Sequence, residues 1–196
     1  MSATYPGEAS AGTATRPTPL VRAAFAVENT RQLDALARVL APVADAVVGT
    51  SRRRDLLQGV WLGHATHPLL VAAPLGIWTG VTALDVFGGA SSRQTCQTLT
   101  GLGVLLGVPS VLSGLAEWTG TNTRDRRTAT AHALVNSVGL VLYVKSWRAR
   151  RRGAHRRGAV LAAAGLSAVG AGGFLGGHLT QGRKVGSHHP AIAEHH

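Results

Sequence analysis

Residues 67–87 read HPLLVAAPLGIWTGVTALDVF, and between His67 and Asp85 they hold no ionisable side chain. A helix of about 20 residues, rising 1.5 Å per residue, matches a hydrocarbon core of about 30 Å. Three more blocks of this kind follow at residues 99–118, 128–147 and 158–179, joined by connections of 11, 9 and 10 residues. Buried helices of soluble proteins rarely come four in succession without a charged stripe. Links this short make neighbouring helices antiparallel. The sequence therefore predicts an all-α integral membrane bundle of four antiparallel transmembrane helices within residues 64–180.

Helices in lipid gain little from apolar burial against one another, so close backbone approach over small residues has to hold them together. The fourth block supplies a row of Ala164, Ala168, Gly172 and Gly176, with Gly165, Gly173 and Gly177 beside it. The second block repeats the device with Gly103, Gly107 and Gly114. Pro74 and Pro109 predict kinks in the first and second helices. Trp61, Trp118 and Trp147 fall at predicted helix ends, where interfacial aromatics belong.

Outside the bundle the chain changes character. Residues 1–29 read as a disordered tail, small, polar and Pro-containing, without the apolar region of a signal peptide. Residues 30–63 read as amphipathic, interfacial helices. Leu33, Leu36, Leu40, Val43 and Val47 mark one helical stripe, and Pro42 should bend or divide that helix. The segment RRRDLLQGVWLG at 52–63 leads into the bilayer boundary. Residues 181–196 read as a flexible tail carrying His188, His189, His195 and His196.

A net charge of +11 invites a nucleic-acid reading. The arginines, however, sit in short runs beside the apolar blocks, where a membrane protein meets anionic head groups. The expected partner is the lipid bilayer, with no nucleic acid. Cys96, the single cysteine, excludes an intrachain disulfide and any site with several cysteine ligands. The topology puts both termini on one side. Basic residues number eight on each side, so the positive-inside rule does not orient the bundle. The difficulty of exporting a basic N-terminal segment favours both termini in the cytoplasm and a cytoplasmic-membrane location. Oligomeric state, homo-oligomers included, is left open.

Alternating topology also gathers the polar residues. His67 opens the first helix with His64 one turn before it, Glu117 closes the second, His132 lies near the start of the third with Asn136 one turn deeper, and His178 ends the fourth. All four helices thus bring a His or Glu to one level. Ionisable groups inside a bundle face its interior or water, and imidazole and carboxylate are ligands for haem and transition metals. One reading is a shared centre, haem b or a transition metal ion, on His67, His132 and His178 with Glu117, supported by His64 and Asn136 and serving electron transfer with a redox partner. The other is a non-catalytic scaffold or partner subunit in which these groups only anchor helix ends. Asp85 is expected to pair with Lys145 or an arginine of the third loop. No P-loop, Rossmann pattern, G-x-S-x-G or HExxH is present, so no catalytic motif points to an enzyme.

At these same residues the chain resembles a group of bacterial membrane proteins, domain of unknown function 2231. The matching stretches are GVWLGHATHPLLVAAPLGIW (59–78), Leu84-Asp85, TGLG (100–103), SGLAEW (113–118), HALVN (132–136) and GGFLGGHL (172–179). The family's GH-x-x-HP pattern is matched by His64, His67 and Pro68, while Glu117 stands where relatives often carry Asp. The resemblance implies the four-helix membrane fold. Some relatives are joined to a Rieske-type domain, which implies electron transfer by association; that domain is not in this chain.

Overall fold

A computed structural model of the chain describes residues 16–185, and among these there is no β-strand. Seven α-helices follow in order: α1 (Pro19–Asn29), α2 (Gln32–Val48), α3 (Ser51–Gln58), α4 (Thr66–Phe87), α5 (Arg93–Thr119), α6 (Thr123–Arg151) and α7 (His155–Gly177), the last running into a π-helical turn at His178–Gly182. The all-helical class expected from the sequence is the one observed. Residues 1–15 and 186–196 lie outside the described residues, and so do the four tail histidines.

By length and composition, three segments are suited to crossing a membrane: Thr66–Phe87, Ala90–Thr119 and His155–Gly182. Helix α6 is as long as these but is not apolar enough. All four exceed or match their expected blocks. Helix α5 begins at Arg93 and α6 at Thr123, because polar and basic residues before an apolar block continue a helix readily. Asn122 caps α6 by accepting from the backbone N–H groups of Arg124 and Asp125. Helices α4 and α5 continue through Pro74 and Pro109, each as one element.

The four long helices form a ring. Helix α4 packs on α5 and α7, and α6 packs on α5 and α7, so α4 and α6 are diagonal. Three pairs of side chains join α4 to α6 across the centre. His67 meets His132, Trp78 stacks on Tyr143 and Asp85 pairs with Arg150. Each pair is separated by 65 residues, so the two helices run parallel and in register. The partners of each follow the same rule. A Cβ on Gly114 would meet the His67 ring and one on Gly176 the His132 ring; Gly103 abuts Trp78 and Gly165 abuts Tyr143. These glycines are 62 residues apart in both cases, 103 to 165 and 114 to 176. Helices α4–α5 and α6–α7 are thus two antiparallel hairpins with one packing scheme.

The glycine contacts correct the expected row on the fourth helix. Gly158, Gly165, Gly172 and Gly176 face neighbouring side chains, whereas Gly173 and Gly177 have open space where a Cβ would go. Gly103 and Gly114 on α5 lie hard against the Trp78 and His67 rings, whereas a Cβ on Gly107 would make only ordinary contact with Leu140 and Trp78.

Two further differences concern the N-terminal region. Residues 19–29, expected to belong to a disordered tail, form α1. Thr18 accepts from the Val21 N–H as N-cap and Pro19 sits at N1, a helix start that composition alone hides. Helix α2 is not divided at Pro42. Its inward stripe is Ala37, Ala44 and Val48 with Leu40 and Ala41, while Leu36 and Val43 of the expected stripe point outward. Small alanines let α2 lie close on Trp118, Ala129 and Leu179 at the end of the bundle. Trp118 is consequently buried, its indole N–H donating to Thr130 and the Arg126 guanidinium over its ring, and does not belong to an exposed belt. Trp61 is 68% exposed, as that belt requires.

Candidate functional site

His67 enters the bundle on the first turn of α4. Its Nδ1 lies 3.0 Å from the Ser110 carbonyl and 3.0 Å from the Ser113 hydroxyl on α5. His132 holds the equivalent place on α6, with Nδ1 2.8 Å from the Gly172 carbonyl of α7. A carbonyl oxygen only accepts, so Nδ1 carries a proton in both rings, and Nε2 is the nitrogen left for a second partner. The ring centroids are 6.2 Å apart and the planes 76° apart. Gly114 and Gly176 make this possible. An added Cβ at either would stand 2.8 or 2.9 Å from the Cε1 of its histidine. Asn136, one turn deeper, donates from Nδ2 to the His132 carbonyl (2.9 Å) and lies 3.2 and 3.3 Å from the two ring nitrogens.

The other expected members go elsewhere. His178 turns away from the pair. Its Nε2 is 2.7 Å from Glu28 Oε1 on α1, and Phe25 packs edge-on against its ring. Glu28 is 1% exposed and also receives Arg124 at 2.8 Å and Arg183 at 3.7 Å. His64 is exposed, with Nδ1 on the Gly63 carbonyl. Glu117 is half-buried at the end of α5, its neighbour Ala116 accepting through its carbonyl from Gln58 of α3. Among the described residues no group of three or more His, Cys, Asp or Glu side chains is placed to hold a metal ion. The four-helix convergence expected from depth reduces to a pair of imidazoles.

At the opposite end of α4 and α6 stands a buried ion pair. Arg150 is 2% exposed and its guanidinium forks onto both oxygens of Asp85, with Nη1 2.8 Å from Oδ1. Arg150 Nε donates to Ser146, whose hydroxyl donates to the Gly158 carbonyl at 2.6 Å. The partner of Asp85 comes from the arginine run after the third block, one of the two options the sequence offered. Between the two layers Trp78 and Tyr143 stack with centroids 4.0 Å apart and planes 7° apart.

Helices α1 and α2 strap the histidine end. Arg127 of α6 grips Asp34 of α2 with two hydrogen bonds, 2.7 and 2.8 Å, and also donates to the Glu28 carbonyl. Those hydrogen bonds hold the Asp34 carboxyl below its ordinary range against the opposing effect of desolvation. Sequence reading gave α2 as an amphipathic helix but missed α1 and the Arg127–Asp34 anchor, Ser110 and Ser113, and the Trp78–Tyr143 stack; the Thr18-Pro19 start was the local signal for α1.

The family model described as Predicted membrane protein (DUF2231) matches residues 63–189, which take in α4 to α7 and both polar layers. The chain belongs to this family. Helices α1–α3 precede the matched region. No curated protein and no solved structure matches the chain.

Proposed function

We propose that α4–α7 cross the cytoplasmic membrane as four antiparallel spans with both termini in the cytoplasm, and that His67 and His132 hold one haem or transition-metal centre that exchanges electrons with a partner protein. The observation that carries this reading is the pair itself: two equivalent histidines, each with Nδ1 tied to a carbonyl of the next helix, 6.2 Å apart by ring centroid. Orientation through the second ring nitrogen is how ligating imidazoles are held. Two imidazoles without a third protein donor would suit a haem iron better than a structural zinc, which takes four ligands. When bound, such a centre supplies one-electron chemistry. The residues of the chain fix the two rings, exclude bulk water through the strap, and keep the site near one membrane face. Glu117 and His178 are not among its ligands, since His178 is turned onto Glu28 of α1.

A scaffold reading is favoured by a different observation. All three histidines bridge elements: His67 to α5, His132 to α7 and His178 to α1. Absorbance spectroscopy with metal analysis of the purified protein separates the two. The expected result is a Soret band or one equivalent of metal, abolished in His67→Ala and in His132→Ala and kept in His178→Ala. Neither signal in the parent protein leaves the scaffold reading. Oligomeric state, homo-oligomers included, is read in the same preparation by light scattering.

A further inference from the structure

Glu28 belongs to α1, outside the family-matched residues, and is 1% exposed. The side chains that surround its carboxylate all lie inside the matched region. His178 donates from Nε2 to Oε1 at 2.7 Å, and Arg183 Nε is 3.7 Å from the same oxygen. Arg124 Nε is 2.8 Å from Oε2. The π-helical turn after α7 sets up this arrangement. Its closing bond runs from the Arg183 N–H to the His178 carbonyl at 3.0 Å, and both side chains meet one carboxylate oxygen. Turns of this kind recur at functional sites.

The cradle fits a carboxylate better than its tethered occupant fills it. Arg124 is close to Oε2 but off the line of a hydrogen bond, so that oxygen is buried without one among the described residues. A carboxylate free of α1 can turn to complete the set. Arg127 is matched by Asp34 and Arg183 by Asp125, which leaves Arg124 and the His178 N–H for the anion. One negative charge balances them, and Asp125 beside Arg183 repels a second. The Arg124 side chain is 54% exposed, so the cradle borders solvent. The occupant is lightly held as well. Helices shorter than about 12–15 residues are marginal alone, and α1 has 11. Ala24 and Glu28 are its buried residues, while Leu20 and Phe25 stay exposed.

We propose that Arg124, His178 and Arg183 form a binding site for a monocarboxylate anion, and that α1 is a tethered plug whose Glu28 carboxylate fills it at rest. The site needs neither a metal centre nor a given orientation of the bundle. An incoming carboxylate takes over the three contacts of Glu28, and α1 lifts from α6 about the link at Thr30 and Arg31. Binding and release of the plug are therefore one event.

The test removes the occupant and supplies it again in solution. Glu28→Ala deletes the atoms of one acetate. In the full-length protein in a neutral detergent, acetate should raise the unfolding midpoint of this variant by about 2–4 °C over the same concentration of chloride. The parent, whose cradle is filled, should gain nothing. Adding Arg124→Gln to Glu28→Ala should remove the gain. Glu28→Gln keeps the size and loses the charge, and serves as the second variant if Glu28→Ala does not fold. No gain over chloride in either variant, an equal gain in the parent, or a gain that survives Arg124→Gln overturns the site. Octanoate separates two sources of a carboxylate. A larger gain than with acetate assigns the site to fatty-acid heads, an equal one to small water-borne acids. A nitroxide at exposed position 23 in Glu28→Gln reads the plug. It should gain mobility as acetate binds, and a label that stays ordered overturns the displacement of α1.

Discussion

Hairpins α4–α5 and α6–α7 share a packing scheme and differ in chemistry. In each, the first helix presents a histidine, an aromatic ring and a charge to the centre, and the second approaches it over glycine. Between those anchors α4 is apolar while α6 offers Asn136, Ser146 and the Tyr143 hydroxyl. Backbone geometry has been kept where side-chain character has not. Close packing fixes which positions must be small, whereas the polarity of the facing wall is free to vary as long as its groups find partners inside the ring.

The sharpest way to break this correspondence is at the charged end, where equivalent positions hold opposite charges. Arg150→Ala leaves Asp85 buried without its partner and should destabilise the detergent-solubilised protein by about 3–5 kcal/mol, with Asp85→Ala close behind. The double variant should recover much of the loss, since no unpaired charge remains. Thermal unfolding followed by circular dichroism measures all three. Equal, additive losses would mean that the pair contributes no coupling.

A middle-sized effect tests the equivalence of the glycines. Gly114→Ala and Gly176→Ala each force a Cβ to within 2.9 Å of an imidazole carbon, and overpacking of this kind costs about 1–3 kcal/mol. The two losses should match within error, and Gly173→Ala, where a Cβ meets open space, should lose little. A large difference between the pair would show that the hairpins are alike only by eye.

The smallest effect lies in the strap, which has no counterpart within the repeated hairpins. Because Arg127 lowers the Asp34 pKa in the folded chain, the bond stabilises the strap above the unfolded value of 3.8 and is lost as pH falls through the folded value below it. A nitroxide at exposed position 35 should therefore gain mobility only below about pH 4. Asp34→Asn should show part of that mobility already at pH 7. A label equally mobile at both pH values in the parent chain would place no anchoring role on Asp34.

How much of this was legible beforehand follows from geometry. Block length and the short links give the helices, and depth gives the histidine layer. Depth does not give azimuth. His178 is two residues beyond Gly176, about 200° further round at 100° per residue, and so it faces α1 when Gly176 faces the centre. That rotation was in the sequence once Gly176, and not Gly177, was known to be the contact glycine. His132 and Asn136, four apart, share a face as expected. The repetition was harder to see, because on the inner faces only the histidines and the glycines recur. Everything between them has diverged. The strap was hidden by composition: Ala23, Ala24 and Ala26 look like linker residues until Thr18 and Pro19 are read as a helix start.

The three-residue link between α6 and α7 has a consequence for how the chain is made. A helix whose inner face carries Asn136, Tyr143, Ser146 and Arg150 partitions poorly into lipid by itself. His132, Ser146 and Arg150 find their partners only once α7 and α4 are beside it, through Gly172, Gly158 and Asp85. On the proposed four-span reading, α6 would enter the bilayer together with α7, which follows almost at once, against the hairpin α4–α5.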